Sequence, residues 1–165
     1  MAHSDPATLD AAAAALERDI LDKIVLARAM AISVVAYDGE ALTMAAKLAP
    51  NVNDKGCAFG GSLVSLLTLA GWGLVLLRLE AAGHDCDIYV QDSSTRYLEP
   101  LWGDLRAQAR VAGDDEAWAA FVASLANRGR GRVRVACRVA TPSGSDACTL
   151  EARFVAIART RTDTR

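Results

Sequence analysis

Two adjacent glycines, Gly60-Gly61, stand immediately before a long apolar run. The first turn of a helix leaves backbone N–H groups without intrahelical partners, and residues lacking a Cβ let a ligand come close to them. Such a terminus can hold an anion, or a carbonyl oxygen that becomes an oxyanion when its carbon is attacked. The plainer account is that the glycines end a loop where it packs against a sheet. Other reactive side chains are few. His3 and His84 are the only histidines, so a His-rich metal site cannot be assembled and no metal is expected. A Ser-His-Asp or Cys-His site would have to use His84, in a stretch, Gly83-His84-Asp85, that reads as a helix C-terminus followed by a turn. Cys57, Cys86, Cys137 and Cys148 form no Cys-x-x-Cys pair, and no basic-then-apolar leader precedes them. Free thiols and a cytoplasmic location are the expectation.

Composition sets the frame for these groups. The chain has 165 residues, 52% of them hydrophobic and 23% charged, with 18 Lys+Arg against 20 Asp+Glu for a formal net charge of −2. A chain of this length buries roughly 70% of the surface its unfolded form exposes, so neither disulfide nor metal is needed to hold a core. The expectation is one soluble domain over residues 1–165, with residues 1–24 as an N-terminal helical extension. The near-neutral balance argues against a general nucleic-acid binder.

The elements that must carry the glycines follow from periodicity. Residues 7–22 read as a helix, with Pro6 near its start and Leu9, Leu16 and Ile20 at helical spacing. A further helical turn over 25–30 leads to strands over 32–37 and 41–48, joined at Asp38-Gly39, a hairpin signal. From Gly56 to Leu77 no residue is charged. That length raises a membrane span, but the opening glycines and the polar Ser62, Ser65 and Thr68 argue against it. The alternative is a helix over about 62–82, apolar on nearly every side and therefore wrapped by the rest of its fold. Strands are expected over 87–98, 105–111, 133–139 and 149–158, with a helix over 114–126 capped by Asp114 and a turn near Pro142-Ser143-Gly144.

The stretch Asn51-Val52-Asn53-Asp54-Lys55-Gly56-Cys57-Ala58-Phe59-Gly60-Gly61-Ser62-Leu63, running on into Leu69-Ala70-Gly71-Trp72-Gly73, resembles the hotdog-fold thioesterases. More narrowly it is similar to the thioesterase domain at the C-terminus of YiiD-type acetyltransferases. The stretch 96–105 also resembles the strand-turn-strand that follows the helix in these enzymes, and the likeness covers about 25–158. It implies an α+β hotdog fold, a curved antiparallel sheet wrapped around the long apolar helix. It implies hydrolysis of an acyl-CoA or acyl-carrier-protein thioester, with the coenzyme A or pantetheine thioester as substrate and no cofactor. It also implies a homodimer or a dimer of dimers whose sites draw on two chains.

Carried over residue by residue, the resemblance gives the N–H of Gly60 the carbonyl oxygen and leaves Asn53 to orient substrate or water. Gly61, Ser62, Phe59 and Trp72 fall where substrate is bound. Phe59 replaces the family's usual histidine, and Thr68 stands where common members carry a helical Asp or Glu, eight residues after the first glycine. Threonine cannot act as a base at neutral pH. Asp54, in the loop with Asn53, is the substitute: some hotdog thioesterases hold the attacking water with a carboxylate, an amide and a threonine, which Asp54, Asn53 and Thr68 supply. Simpler roles stand beside these, Asp54 capping a turn next to Lys55 and Thr68 bonding back to its helix. Asp92 is a less favoured acid, since Asp92-Ser93-Ser94-Thr95 reads equally as a polar edge or a bulge. Arg128, Arg130 and Arg132 can project from a flexible lead into a strand toward coenzyme A phosphates, with a solvated basic loop as the simpler account. Trp72 and Trp102 are large enough to line an acyl pocket, with core or interface packing as the default. The rival reading keeps the fold and the Gly60-Gly61 contact but makes the chain a non-catalytic acyl-thioester binding or sensing module.

Overall fold

The computed structural model describes residues 5–159. Helix α1 (Pro6–Lys23) opens with proline in its first turn, where the missing N–H costs nothing. Residues 1–4 of the expected extension lie outside the described residues. Arg28, on the short α2 (Val25–Ala29), donates to the carbonyls of Leu21 and Asp22 and so closes the C-terminal end of α1. Strands β1 (Ile32–Tyr37) and β2 (Ala41–Ala46) form a hairpin at Asp38, whose Oδ1 accepts from the N–H groups of Glu40 and Ala41 at 2.8 and 2.6 Å. β2 stops short of the expected Leu48 because Asp104 competes for the chain there: its carboxylate takes the Leu48 N–H at 2.9 Å and pairs with Lys47 Nζ at 2.8 Å.

The apolar run becomes α3 (Gly60–Ala81), which starts two residues before the sequence suggests and takes both glycines into its first turn. By length and composition it could cross a membrane. Here it lies along the inner face of a six-stranded antiparallel sheet completed by β3 (Cys86–Tyr97), β4 (Leu105–Val111), β5 (Arg130–Ala140) and β6 (Asp146–Ala158). The spatial order is β1-β2-β4-β5-β6-β3. Leu66, Leu67, Leu74 and Leu79 of α3 meet Leu105, Val135, Leu150 and Phe154 of the sheet in one core, all fully buried. Close approach depends on Gly71, where an added Cβ would stand 2.9 Å from Phe154 Cε2.

Helix α4 (Asp115–Arg128), capped by Asp114 accepting from Ala117 N–H at 3.0 Å, lies beside the C-terminal half of α3. Arg78 of α3 places its guanidinium 4.1 Å from the Trp118 ring centroid and pairs with Glu40 at 3.1 Å, tying α4 and the first hairpin to the central helix. There is no flexible lead into β5. Arg128 is the last residue of α4, Arg130 and Arg132 already belong to β5, and Arg132 Nε donates to Gln91 Oε1 at 2.9 Å. The strand starts early because residues 130–132 already pair with Ile157, Ala156 and Val155 of β6, and α4 packs on it at Gly131, where an added Cβ would stand 2.8 Å from the backbone oxygen of Phe121. Backbone cannot swing aside as a side chain can. Gly131→Ala is therefore expected to cost about 1–3 kcal/mol of stability, read as a lowered Tm in differential scanning calorimetry. An unchanged Tm would show that α4 rides loosely on β5.

The two sheet edges differ. β1 is short, and Glu17 of α1 accepts its Val34 N–H at 2.6 Å, which blunts it. β3 has 12 residues and, among the described residues, pairs only with β6 and leaves its other edge open. From Val90 onward its inner face is also bare. Phe154, Ala152, Leu150 and Cys148 of β6 are buried, yet their direct partners on β3, Val90, Ser93, Thr95 and Tyr97, are exposed or half-exposed. The cover provided by α3 takes in Cys86 and Ile88, which are buried, and ends before Val90.

Candidate functional site

The loop from β2 to α3 is built to deliver the glycine pair. A single 3₁₀ turn (Ala49–Asn51) is followed by a doubling back of the chain: Asn53 N–H donates to Cys57 O at 2.8 Å and Phe59 N–H to Asn51 O at 2.7 Å. Ala58 N–H reaches Leu101 O at 2.8 Å, anchoring the returning arm to the segment after β3. Asn51, which sequence reasoning passed over, pins the base of the loop. It is 2% exposed, and its Nδ2 donates to Met30 O and Lys47 O at 2.8 and 2.7 Å. Only its burial separates it from Asn53 two residues on, and the sequence does not show that difference.

Phe59 enters the helix in extended conformation, and no side chain caps α3. The first N–H to join the helical ladder is that of Leu63, donated to Phe59 O at 3.1 Å. The N–H groups of Gly60, Gly61 and Ser62 therefore find no acceptor among the described residues. They sit at the positive end of a 22-residue helix. Aromatic side chains rim this opening. An added Cβ at Gly60 would stand 3.1 Å from Tyr97 Cε1, and one at Gly61 would collide with Phe59 Cε1. Tyr97 Oη donates to Gly60 O at 3.4 Å. Phe59, Tyr97 and Trp102 are 54%, 59% and 65% exposed, so Trp102 is not a core residue. Tyr97 is a second residue missed at the sequence level, because contact between the end of β3 and the start of α3 is a product of topology.

The remaining candidates are placed as follows. Asn53 is folded into its own loop: Oδ1 accepts from Lys55 N–H at 2.9 Å, and Nδ2 donates to Cys57 Sγ at 3.2 Å. Asp54 is open to solvent and paired with the neighbouring Lys55 at 2.9 Å. Thr68 and Trp72 lie on one half-buried side of α3, and Trp72 Nε1 donates to Ile88 O at 3.2 Å. Trp72 is twelve residues into the helix from Gly60, about 18 Å along its axis. The two are therefore not brought together within one chain. Arg130, at the start of β5, is exposed, and it belongs to a strand rather than to a free loop. Asp92 follows a bulge in β3 and pairs with Arg153 at 3.1 Å, opposite it on β6, so the expected edge and the expected bulge are both present. His84 follows Gly83 at the far end of α3, donating its N–H to Leu79 O at 2.9 Å. Burial pushes the Cys137 thiol up to about 12 and also raises Cys86 and Cys148, which keeps all three thiols neutral and poor nucleophiles.

Solved structures share this architecture. A protein of unknown function from Chlorobaculum tepidum TLS is 26% identical, with a TM-score of 0.86 over 92% of this chain and 97% of that one. A structure described as a putative thioesterase from Shewanella oneidensis is 25% identical, with a TM-score of 0.80 over 90% of this chain and 99% of that one. The PaaI protein of the E. coli phenylacetic acid degradation operon, 14% identical, shares the hotdog fold with a TM-score of 0.65 over 92% of this chain and 96% of that one. The model of the family described as "Putative thioesterase (yiiD_Cterm)" matches residues 13–158, from the middle of α1 to the end of β6. A hotdog sheet around an uncapped glycine-led helix, matched by that model over nearly its whole length, makes this chain a member of the YiiD C-terminal thioesterase family.

Proposed function

We propose that the chain hydrolyses acyl thioesters of coenzyme A or of a carrier protein. The observation that carries this reading is the uncapped N-terminus of α3 at Gly60-Gly61. Water adds to the thioester carbon, the carbonyl oxygen becomes an oxyanion held by the Gly60 N–H, and collapse of the tetrahedral species breaks the C–S bond. The products are a carboxylic acid and a thiol. Asp54 takes the proton of the attacking water, Thr68 orients that water, and Asn53 shapes the loop around the substrate. Phe59, Gly61 and Ser62 border the acyl thioester, and Trp72 lines the acyl end.

The active unit in this proposal is a homodimer. Gly60 and Thr68 are separated by about 12 Å along one helix, too far for one carbonyl to meet both. Antiparallel pairing of β3 with its copy across a two-fold axis superimposes the two ends of the strand. Tyr97, beside Gly60, then lies against the partner's Cys86 and the partner's Ile88, and Ile88 is the residue that holds Trp72. One protomer's glycine pair thus comes to the Thr68 and Trp72 side of the other. The bare inner face and open edge of β3 support this arrangement.

Thiol release from a panel of acyl-CoA substrates tests the reading. Asp54→Asn keeps the shape and removes the base, and is expected to lower kcat by about 10²-fold. Thr68→Val removes only a hydroxyl and should cost less. The ion pair of Asp54 with Lys55 favours the second reading, a thioester sensor, because it occupies the only carboxylate in the loop. Tight acyl-CoA binding without turnover at any acyl length would establish the sensor. Full activity of Asp54→Asn with an unchanged pH profile would remove Asp54 as the base.

A further inference from the structure

The outer face of the sheet, turned away from α3, carries arginines that the site does not use. Directly opposed residues on neighbouring strands share a face. Pairing lays Arg96, Thr149, Arg138 and Gln108 in one row across β3, β6, β5 and β4, and Asp92, Arg153 and Arg134 in another. Between the rows stands Ala136, with Glu151 opposite on one side and Arg110 on the other. A short side chain among long ones opens a hollow of about 530 Å³, lined by Ala136, by Arg96, Arg110 and Arg138, and by the carboxylates of Asp146 and Glu151.

Charge on this face is unbalanced. Arg138 pairs with Asp146 at 2.8 Å, Arg153 with Asp92 at 3.1 Å and Arg110 with Asp38 at 4.0 Å. Arg96 and Arg134 have no acidic partner within 4.0 Å among the described residues, and Arg134 stands directly opposite Arg153. Opposed like charges cost stability. In a chain of net charge −2, this face carries Arg96, Arg110, Arg134, Arg138 and Arg153 against Asp92, Asp146 and Glu151.

We propose that this face docks an acidic protein surface, one carboxylate side chain of which enters the hollow over Ala136. The cations extend over four strands, about 15 Å at the usual strand spacing, farther than a single phosphate reaches. Glu151 and Asp92 interrupt them, which a continuous phosphate backbone would meet with repulsion and separate carboxylates on a protein can avoid. A second copy docking by the same face across a two-fold axis would set arginine against arginine. The proposal stands independently of thioester hydrolysis.

The test is binding of a labelled Glu-rich helical peptide, followed by fluorescence anisotropy at about 50 mM salt and above. Wild type should bind, and more weakly as salt rises. Arg134→Glu/Arg138→Glu should bind at least about tenfold more weakly with its circular dichroism spectrum unchanged. Arg96→Gln/Arg134→Gln breaks no ion pair and should weaken binding about threefold. Arg18→Glu/Lys23→Glu, the same change in net charge on α1, should stay within about twofold of wild type. The proposal is overturned if the peptide fails to bind, or if the α1 variant loses as much as the sheet variant. It is also overturned by a single-stranded oligonucleotide binding the same arginines more tightly, or by a stable tetramer with this face buried.

Discussion

Gly60→Pro is expected to lower kcat by about 10²- to 10³-fold while the fold survives. Proline at the first position of a helix costs little, because the N–H it removes has no intrahelical acceptor. The residue before a proline must be extended, and Phe59 already is, at φ −68° and ψ 132°. The substitution therefore deletes one donor at the head of α3 and leaves the helix its register. The Tyr97 ring that crowds this position is exposed and has room to turn. Steady-state thiol release, with circular dichroism to confirm helix content, checks the outcome. A kcat near wild type in a folded variant would sink the assignment of the oxyanion to the Gly60 N–H.

Val90→Lys/Ser93→Lys should convert the protein to a folded monomer and remove at least about 10²-fold of its activity. Both positions lie on the bare inner face of β3, opposite Phe154 and Ala152. Pairing of two β3 strands about their middles would bring four ammonium groups together at the dyad, and lysine is a common device for keeping strand edges apart. If each site combines the glycine pair of one chain with Thr68 and Trp72 of the other, a monomer has no complete site. Sedimentation velocity and kcat are to be read together. A fully active monomer would refute the shared site, and a dimer of unchanged affinity would refute pairing through β3.

Several elements of the fold were legible because their local chemistry and their tertiary role agree. β4 reads correctly over 105–111, since Arg106, Gln108 and Arg110 alternate with buried Leu105, Ala107 and Ala109. Asp114 announces α4 by being a good N-cap, and it caps. The start of β5 was not legible: Arg130-Gly131-Arg132 has the composition of a loop, and its pairing with Ile157, Ala156 and Val155 of β6, with Phe121 of α4 packed over Gly131, exists only in the folded chain. The open inner face of β3 was hidden as well, because strand periodicity does not reveal which neighbour a strand acquires. At the site, the glycine-led helix was visible in order and composition. The internal bonds of Asn53 and the approach of Tyr97 to Gly60 depend on distances that only the folded chain sets.

The connection of β3 to β6 alone governs how the chain emerges from the ribosome. Cys86 and Asp146 are about 60 residues apart, so β3 has no strand to pair with until the last strand has been made. At usual elongation rates that interval is roughly 3–12 s. Throughout it α3 lacks β6, and for the earlier part of it β4 and β5 as well, so one long apolar helix and one long unpaired strand stand side by side in the nascent chain. The hairpin of β1 and β2 closes early by local contact, whereas closure of the sheet waits for the C-terminus. A stop codon placed just before β6 would thus release a chain with its first hairpin closed and β3 and α3 uncovered, a substrate for chaperones rather than a smaller version of the fold.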